Sequence, residues 1–160
     1  MRVFAVDPGY GRLGIAILEK EGVLGKVIFS ECFTTEKTLP QSERLKNIAD
    51  RVRGTFKEFN PDCFAIEGLF FSKNRKTALA VAEARGAILE AAAQVGVPIY
   101  EYLPVQIKVA VTGYGKSDKA QVTEMVRRLT NVTGKRLDDE YDAIAVALTH
   151  IATWRPESAQ

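Results

Sequence analysis

A chain of 160 residues with 46% hydrophobic content is long enough to bury the core of one domain without disulfides or a structural metal. No stretch approaches the ~20 apolar residues of a membrane span, and the opening MRVFAVDPGYGRLG is charged and glycine-rich, so a cytoplasmic location with no membrane attachment is expected. The net charge of +2 is too small to announce a nucleic-acid partner, and two cysteines without CxxC spacing beside a single histidine argue against zinc sites and histidine-based triads.

In chain order, Val3 to Asp7 reads as a short buried strand, Pro8 to Arg12 as a turn, and Leu13 to Leu18 as the hairpin partner. Val23 to Phe33 is a third strand-like run. Leu45, Ile48, Ala49, Val52, Phe56 and Phe59 then recur at helical spacing until Asn60-Pro61 stops the pattern. Cys63 to Glu67 is another buried strand, Lys76 to Val95 an alanine-rich helix, and Val97 to Tyr102 a short strand. After Pro104 come a short helix, a Gly113/Gly115 loop, a helix opened by Ser117 as N-cap, and a last helix from Asp138 to Trp154. This order predicts one α/β domain over 1–154, a ribonuclease H-like mixed sheet with helices on both faces, and a polar tail at 155–160.

Two motifs invite a nucleotide reading and fail on context. Gly9-Tyr10-Gly11-Arg12-Leu13-Gly14 has the form GxGxxG, but a dinucleotide site needs a helix to start at the glycines, whereas Ile15 to Leu18 continues as a strand. Gly115-Lys116-Ser117 resembles the end of a P-loop, yet the glycine required five residues earlier is Ala110. What remains is a lysine-bearing loop able to touch phosphates. Between Pro104 and Arg136, seven basic residues stand against two acidic ones, so this half of the chain can present a phosphate-binding face.

The chemistry is carried by carboxylates. Asp7 ends one apolar strand and Glu67 another, and if the first and fourth strands are neighbours in mid-sheet, both emerge at the same edge. Asp139 and Asp142 are three apart near the start of the last helix and share a face with Ala143, Val146, Ala147 and His150. Asp138, Asp139 and Glu140 also suit a helix N-terminus, but Asp142 lies a turn further in and needs a partner. Converging carboxylates repel unless divalent cations join them. Hard oxygen donors without cysteine or histidine select Mg²⁺ or Mn²⁺, and two such ions can clamp a phosphodiester.

The pattern Asp7-Pro8-Gly9, Phe64-Ala65-Ile66-Glu67 with Phe70 and Lys73-Asn74, Ala84-Arg85-Gly86, Pro104, Gln106, Lys108, Gly113, Gly115, Lys119, Gln121-Val122, Met125-Val126, Asp139, Asp142-Ala143 and Thr149-His150 spans nearly the whole chain. In order and spacing it resembles the RuvC family of bacterial Holliday-junction resolvases. The resemblance implies a homodimer that binds four-way junction DNA and nicks two opposing strands symmetrically during homologous recombination and repair, working beside the RuvA and RuvB branch-migration proteins. It places the family's metal ligands on Asp7, Glu67, Asp139 and Asp142, with two Mg²⁺ per site and Mn²⁺ able to substitute. Phe70 matches an aromatic at the opened junction centre, and Lys108 and Lys119 match basic residues beside the scissile phosphate, which makes Lys119 a catalytic candidate. Asn74, Arg75, Lys76 and Lys116 are expected to add DNA contacts. Departures are modest: Gly68-Leu69 stand where a polar residue is frequent, Glu83 at a common glutamine position, and Ser117 at a common alanine.

Three other readings compete. A related ribonuclease H-like nuclease of the YqgF type, acting on RNA, shares the opening Asp-Pro-Gly strand but gives no reason for Phe70, Lys108 and Lys119. An actin-like kinase lobe would need a second lobe, and a non-catalytic scaffold would not keep Asp7, Glu67 and Asp142. The Lys76 to Val95 helix, with Ala78, Ala82 and Gly86 every four positions, is the expected dimer contact. Of Phe70 and Phe71, the second is expected to pack and the first to be exposed.

Overall fold

A computed structural model describes residues 1–22, 24–68 and 75–155, with Arg75 and Lys76 described by their backbone alone. Five strands, β1 (Arg2–Asp7), β2 (Arg12–Glu21), β3 (Leu24–Thr34), β4 (Cys63–Glu67) and β5 (Ile99–Tyr102), form one sheet in the order β3-β2-β1-β4-β5. β1 pairs antiparallel with β2 and parallel with β4, so the sheet is mixed and ribonuclease H-like, as expected. Among the described residues five helices follow or interleave: α1 (Gln41–Phe59), α2 (Arg75–Val95), α3 (Pro104–Thr112), α4 (Lys119–Leu129) and α5 (Asp138–Thr153). Among the described residues no helix is long and apolar enough to cross a membrane.

Alternation along the strands divides the core into two layers. Phe4, Val6, Ile15, Ile17, Phe64 and Ile66 point to one face, where α1 and α2 cover them with Ile48, Val52, Phe56, Ala84 and Ile88. Phe4, Phe56 and Phe64 interlock there, with ring centroids 4.8–5.5 Å apart. Val3, Ala5, Ala16, Cys63 and Ala65 point to the other face and meet Ala143, Ala145, Val146 and Ala147 of α5. Small residues on both sides let α5 lie close to the sheet. Asp7 and Glu67 share the parity of Val3, Ala5, Cys63 and Ala65, so both point to the α5 face.

Two boundaries differ from the sequence reading in an instructive way. Asp118, not Ser117, caps α4: its carboxylate accepts from the Gln121 N–H at 2.8 Å, while the Gln121 side chain accepts from the Asp118 N–H at 2.9 Å. Ser117 is instead buried, bonded to Thr112 Oγ1 at 2.6 Å and to the Tyr114 carbonyl at 2.8 Å. A carboxylate that closes a reciprocal capping box outcompetes the serine one position earlier. The fifth strand begins at Ile99, two residues later than the apolar run suggested. α1 stops as expected, at Asn60 in the left-handed region (φ 44°), whose N–H returns to the Phe56 carbonyl at 2.9 Å. Phe70, Phe71 and Asn74 lie outside the described residues, as does Val23 and, from residue 156 onward, the expected tail.

Candidate active site

Asp7 and Glu67 end two adjacent parallel strands in which Val6 stands opposite Ile66, so the two carboxylates emerge side by side at the sheet edge. Asp139 and Asp142 reach the same edge from the first turns of α5. That helix is brought there by Gly14, the register partner of Asp7: a Cβ at Gly14 would lie 2.0 Å from the Asp139 carbonyl oxygen. Glycine therefore sets the distance between the helix start and the sheet, and with it the distance between the two carboxylate pairs.

Asp7, Glu67 and Asp142 all respond to their surroundings. Burial raises the Asp7 carboxyl well above the ordinary 3.8, and the charges of Glu67, Asp142 and Asp139 push it further in the same direction. Burial also raises Glu67, opposed by the hydrogen bond it accepts from Asp7 and by the lysines Lys119 and Lys108. Neighbouring negative charge and burial therefore act together against ionisation of Asp7. Burial raises Asp142 as well, against the pull of Lys119.

Each α5 carboxylate has a cation. Lys119 Nζ lies 2.8 Å from Asp142 Oδ2 and 3.7 Å from Asp138 Oδ2. Burial works against its charge, but the bond to Asp142 and the charges of Asp142, Asp138 and Asp7 prevail, leaving its pKa raised. This supplies the partner that Asp142 requires. Arg12 Nε lies 3.2 Å from Asp139 Oδ2, and the Cys32 thiol lies 3.7 Å from the same oxygen. Sequence reasoning missed Arg12; the signal was a cation five residues past Asp7 at the first position of a strand, with the same parity as Gly14.

Among the described residues, no three His, Cys, Asp or Glu side chains are drawn close enough to enclose a metal ion unaided. Two of the four carboxylates are paired with cations, Asp142 with Lys119 and Asp139 with Arg12. The donor set still fits a hard divalent cation: the charges of three carboxylates bear on Asp7 together, all donors are oxygens, and each salt bridge shows a carboxylate taking a positive partner. His150 is no competitor. It is buried about two turns beyond Asp142 on α5, bonded to Tyr102 Oη at 2.8 Å and 3.3 Å from Cys63 Sγ, and burial lowers its pKa to about 4.

A cleft of about 200 Å³ opens beside the carboxylates, lined by Glu67, Lys108, Lys119 and Asp142 with Pro104, Ile107, Val122 and Ala145. The structure thus brings Lys108 and Lys119 to the carboxylates. Lys116 is exposed in the turn before α4 and is not among the cleft's lining residues. Arg75 and Lys76 open α2. The placement is suited to phosphodiester hydrolysis: carboxylates for a divalent ion, lysines for the phosphate, and an open side for a polymer.

Comparison with known proteins agrees with that chemistry. A family model described as "Crossover junction endodeoxyribonuclease RuvC" matches residues 3–150. A protein of that name from Thermosipho melanesiensis is 48% identical over 148 residues, covering 92% of this chain and 94% of the relative. Another from Chloroflexus aggregans is 43% identical over 154 residues, covering 96% and 94%. Among solved structures, "T. thermophilus RuvC in complex with Holliday junction substrate" superposes with a TM-score of 0.88 at 36% identity, covering 94% of this chain and 92% of that one.

Proposed function

The chain belongs to the RuvC family of crossover junction endodeoxyribonucleases, and from that premise we propose that Asp7, Glu67, Asp139 and Asp142 are its metal-binding catalytic residues. It is a Holliday junction resolvase, a hydrolase of DNA phosphodiesters; the reading as an RNA-directed nuclease is not favoured. The observation that carries the site assignment is geometric: Asp7 and Glu67 end adjacent parallel strands, Gly14 lets the Asp139 backbone meet that same edge, and Glu67 and Asp142 line one cleft with Lys108 and Lys119.

These four carboxylates would hold Mg²⁺, two ions per site with Mn²⁺ able to substitute, and the metal would supply activation of a water and charge for the leaving oxygen. The protein's own groups do the rest. Asp7 and Glu67 hold their oxygens at a rigid strand edge, and α5 presents the other two. Lys119 and Lys108 line the cleft and neutralise the phosphate, Lys119 nearest the α5 carboxylates. Phe70, Asn74, Arg75, Lys76 and Lys116 extend the DNA contact, with Phe70 stacking on a base freed at the crossover. One domain covers 1–154, the protein works in the cytoplasm, and RuvA and RuvB are its partners.

Paired cuts require two sites related by a two-fold axis, and α2 supports that symmetry. Ala84, Ile88, Ala91 and Ala92 are buried toward the sheet, whereas Gly86 is exposed and a Cβ there would meet nothing within 4 Å. The Gly86 end of the small-residue ridge therefore faces away from the parent sheet, which suits a homodimer contact. The test is cleavage of a synthetic four-way junction in Mg²⁺ against linear duplex and an RNA–DNA hybrid, with sedimentation at micromolar concentration. Paired nicking of the junction alone by a dimer is expected; preferential cutting of the hybrid would overturn the reading.

Lys119→Ala is expected to lower the cleavage rate by about 10²- to 10³-fold while weakening junction binding less than about threefold. Its charge meets a phosphate whose negative charge grows during the reaction, so its loss falls on the rate. Equal losses in rate and affinity, measured by single-turnover kinetics and by binding in Ca²⁺, would reduce it to a general backbone contact.

A further inference from the structure

Asp139 and Asp142 stand one turn apart at the start of α5, and a different cation holds each. Lys119 draws Asp142 toward α4. Arg12, the first residue of β2, draws Asp139 toward β2 and β3, Nε to Oδ2 3.2 Å, with the Cys32 thiol 3.7 Å from the same oxygen. The two partners are unlike in exposure: 56% of the Arg12 side chain is open to solvent against 16% for Asp139. A long, largely solvated side chain resting on a carboxylate is a weak tie. Arginine keeps its charge at any working pH, and its planar fork suits phosphate as well as carboxylate. A divalent ion reaching Asp139 brings twice the charge and competes with Arg12 for the same oxygen.

We propose that Arg12 is a displaceable counter-ion of Asp139: it yields the carboxylate to the divalent ion and turns to a phosphate of the DNA strand on the β2 side of the site. Arg12 is then a substrate-binding residue on the flank opposite Lys119, and each α5 carboxylate exchanges its cation as metal and DNA assemble. The inference rests on the metal-site reading above.

The experiment follows Mn²⁺ binding to the DNA-free protein by loss of the free-ion EPR signal, and junction binding in Ca²⁺ by fluorescence anisotropy over a salt series. Wild type, Arg12→Ala, Arg12→Gln and Asp7→Asn are compared. Both Arg12 variants are expected to bind Mn²⁺ about two- to fivefold more tightly, since a competing cation is gone. Their slope of log affinity against log salt should shrink by about 1, the mark of one lost phosphate contact. Weaker Mn²⁺ binding with a lowered melting temperature would make Arg12 a structural clamp and overturn the exchange. So would either readout remaining at the wild-type value. Asp7→Asn separates the two levels: if it loses Mn²⁺ binding, the metal site stands whatever Arg12 does, and if it binds normally, both readings fall.

Discussion

Asp7→Asn is expected to abolish junction cleavage, by ~10³-fold or more, while leaving junction binding intact and making the protein more stable. The loss of activity follows from the metal-binding role proposed for Asp7, since a neutral amide is a far poorer donor to a hard divalent ion than a carboxylate. The gain in stability follows from what the fold imposes on Asp7. Burial and three neighbouring carboxylates raise its pKa well above 3.8, so the charged form opposes folding. The sign is that of a raised acid: its contribution is fully favourable below the ordinary carboxylate pKa and is lost as the pH rises through the folded-state value. Asparagine never carries the charge. At neutral pH the variant should melt higher by about 3–6 °C, an ordinary gain for relieving one strained functional position in a domain of this size. The gain should fade on acidification into the carboxylate range. Calorimetry at several pH values together with gel-resolved cleavage checks both halves. A variant that cuts normally in Mg²⁺ would remove Asp7 from the metal site, and one that melts lower at neutral pH would show that its charge is compensated in a way the geometry does not reveal.

Much of this site was legible in the sequence because its parts obey short-range rules. A carboxylate closing an apolar strand is costly unless it serves something, which singles out Asp7 and Glu67. Alternation fixes which face they point to, and a three-residue spacing on a helix puts Asp139 and Asp142 together. The sheet order β3-β2-β1-β4-β5 makes β1 and β4 neighbours, as the pairing of their carboxylates required. What stayed hidden depended on contacts between residues far apart in sequence. Arg12 reaches Asp139 across 127 positions, and Lys119 reaches Asp142 because α4 and α5 pack side by side. Capping at Asp118 was hidden for a different reason: Ser117 and Asp118 are both good caps, and only the reciprocal bond with Gln121 decides between them.

Gly14→Ala is expected to damage both fold and chemistry. A Cβ there would stand 2.0 Å from the Asp139 carbonyl oxygen, 2.8 Å from the Asp139 carbonyl carbon and 3.2 Å from Asp7 Cβ. The obstructing atoms are mainly backbone at the start of a helix whose buried residues run from Tyr141 to Ile151, so relief requires α5 or β2 to move. Overpacking of this kind costs about 1–3 kcal/mol, occasionally more, which lowers the melting temperature of a domain this size by roughly 3–10 °C. The displacement also separates Asp139 and Asp142 from Asp7, and a misplacement near 1 Å can cost ~10²-fold in rate. The same turn supplies the control. At Gly11 the nearest atom to an added Cβ is Arg44 Nη2 at 3.8 Å, so Gly11→Ala should fold and cut almost as wild type. Gly9 resembles Gly14, since its Cβ would lie 1.9 Å from the Arg12 carbonyl oxygen. The GxGxxG pattern that imitates a nucleotide site therefore has a steric origin at its first and last glycines. Its last glycine is the gap through which a helix approaches a strand closely enough to bring four carboxylates to one sheet edge. Activity per folded molecule decides the matter: if Gly14→Ala melts low but cuts at the wild-type rate when folded, that approach is needed for the fold and not for the reaction.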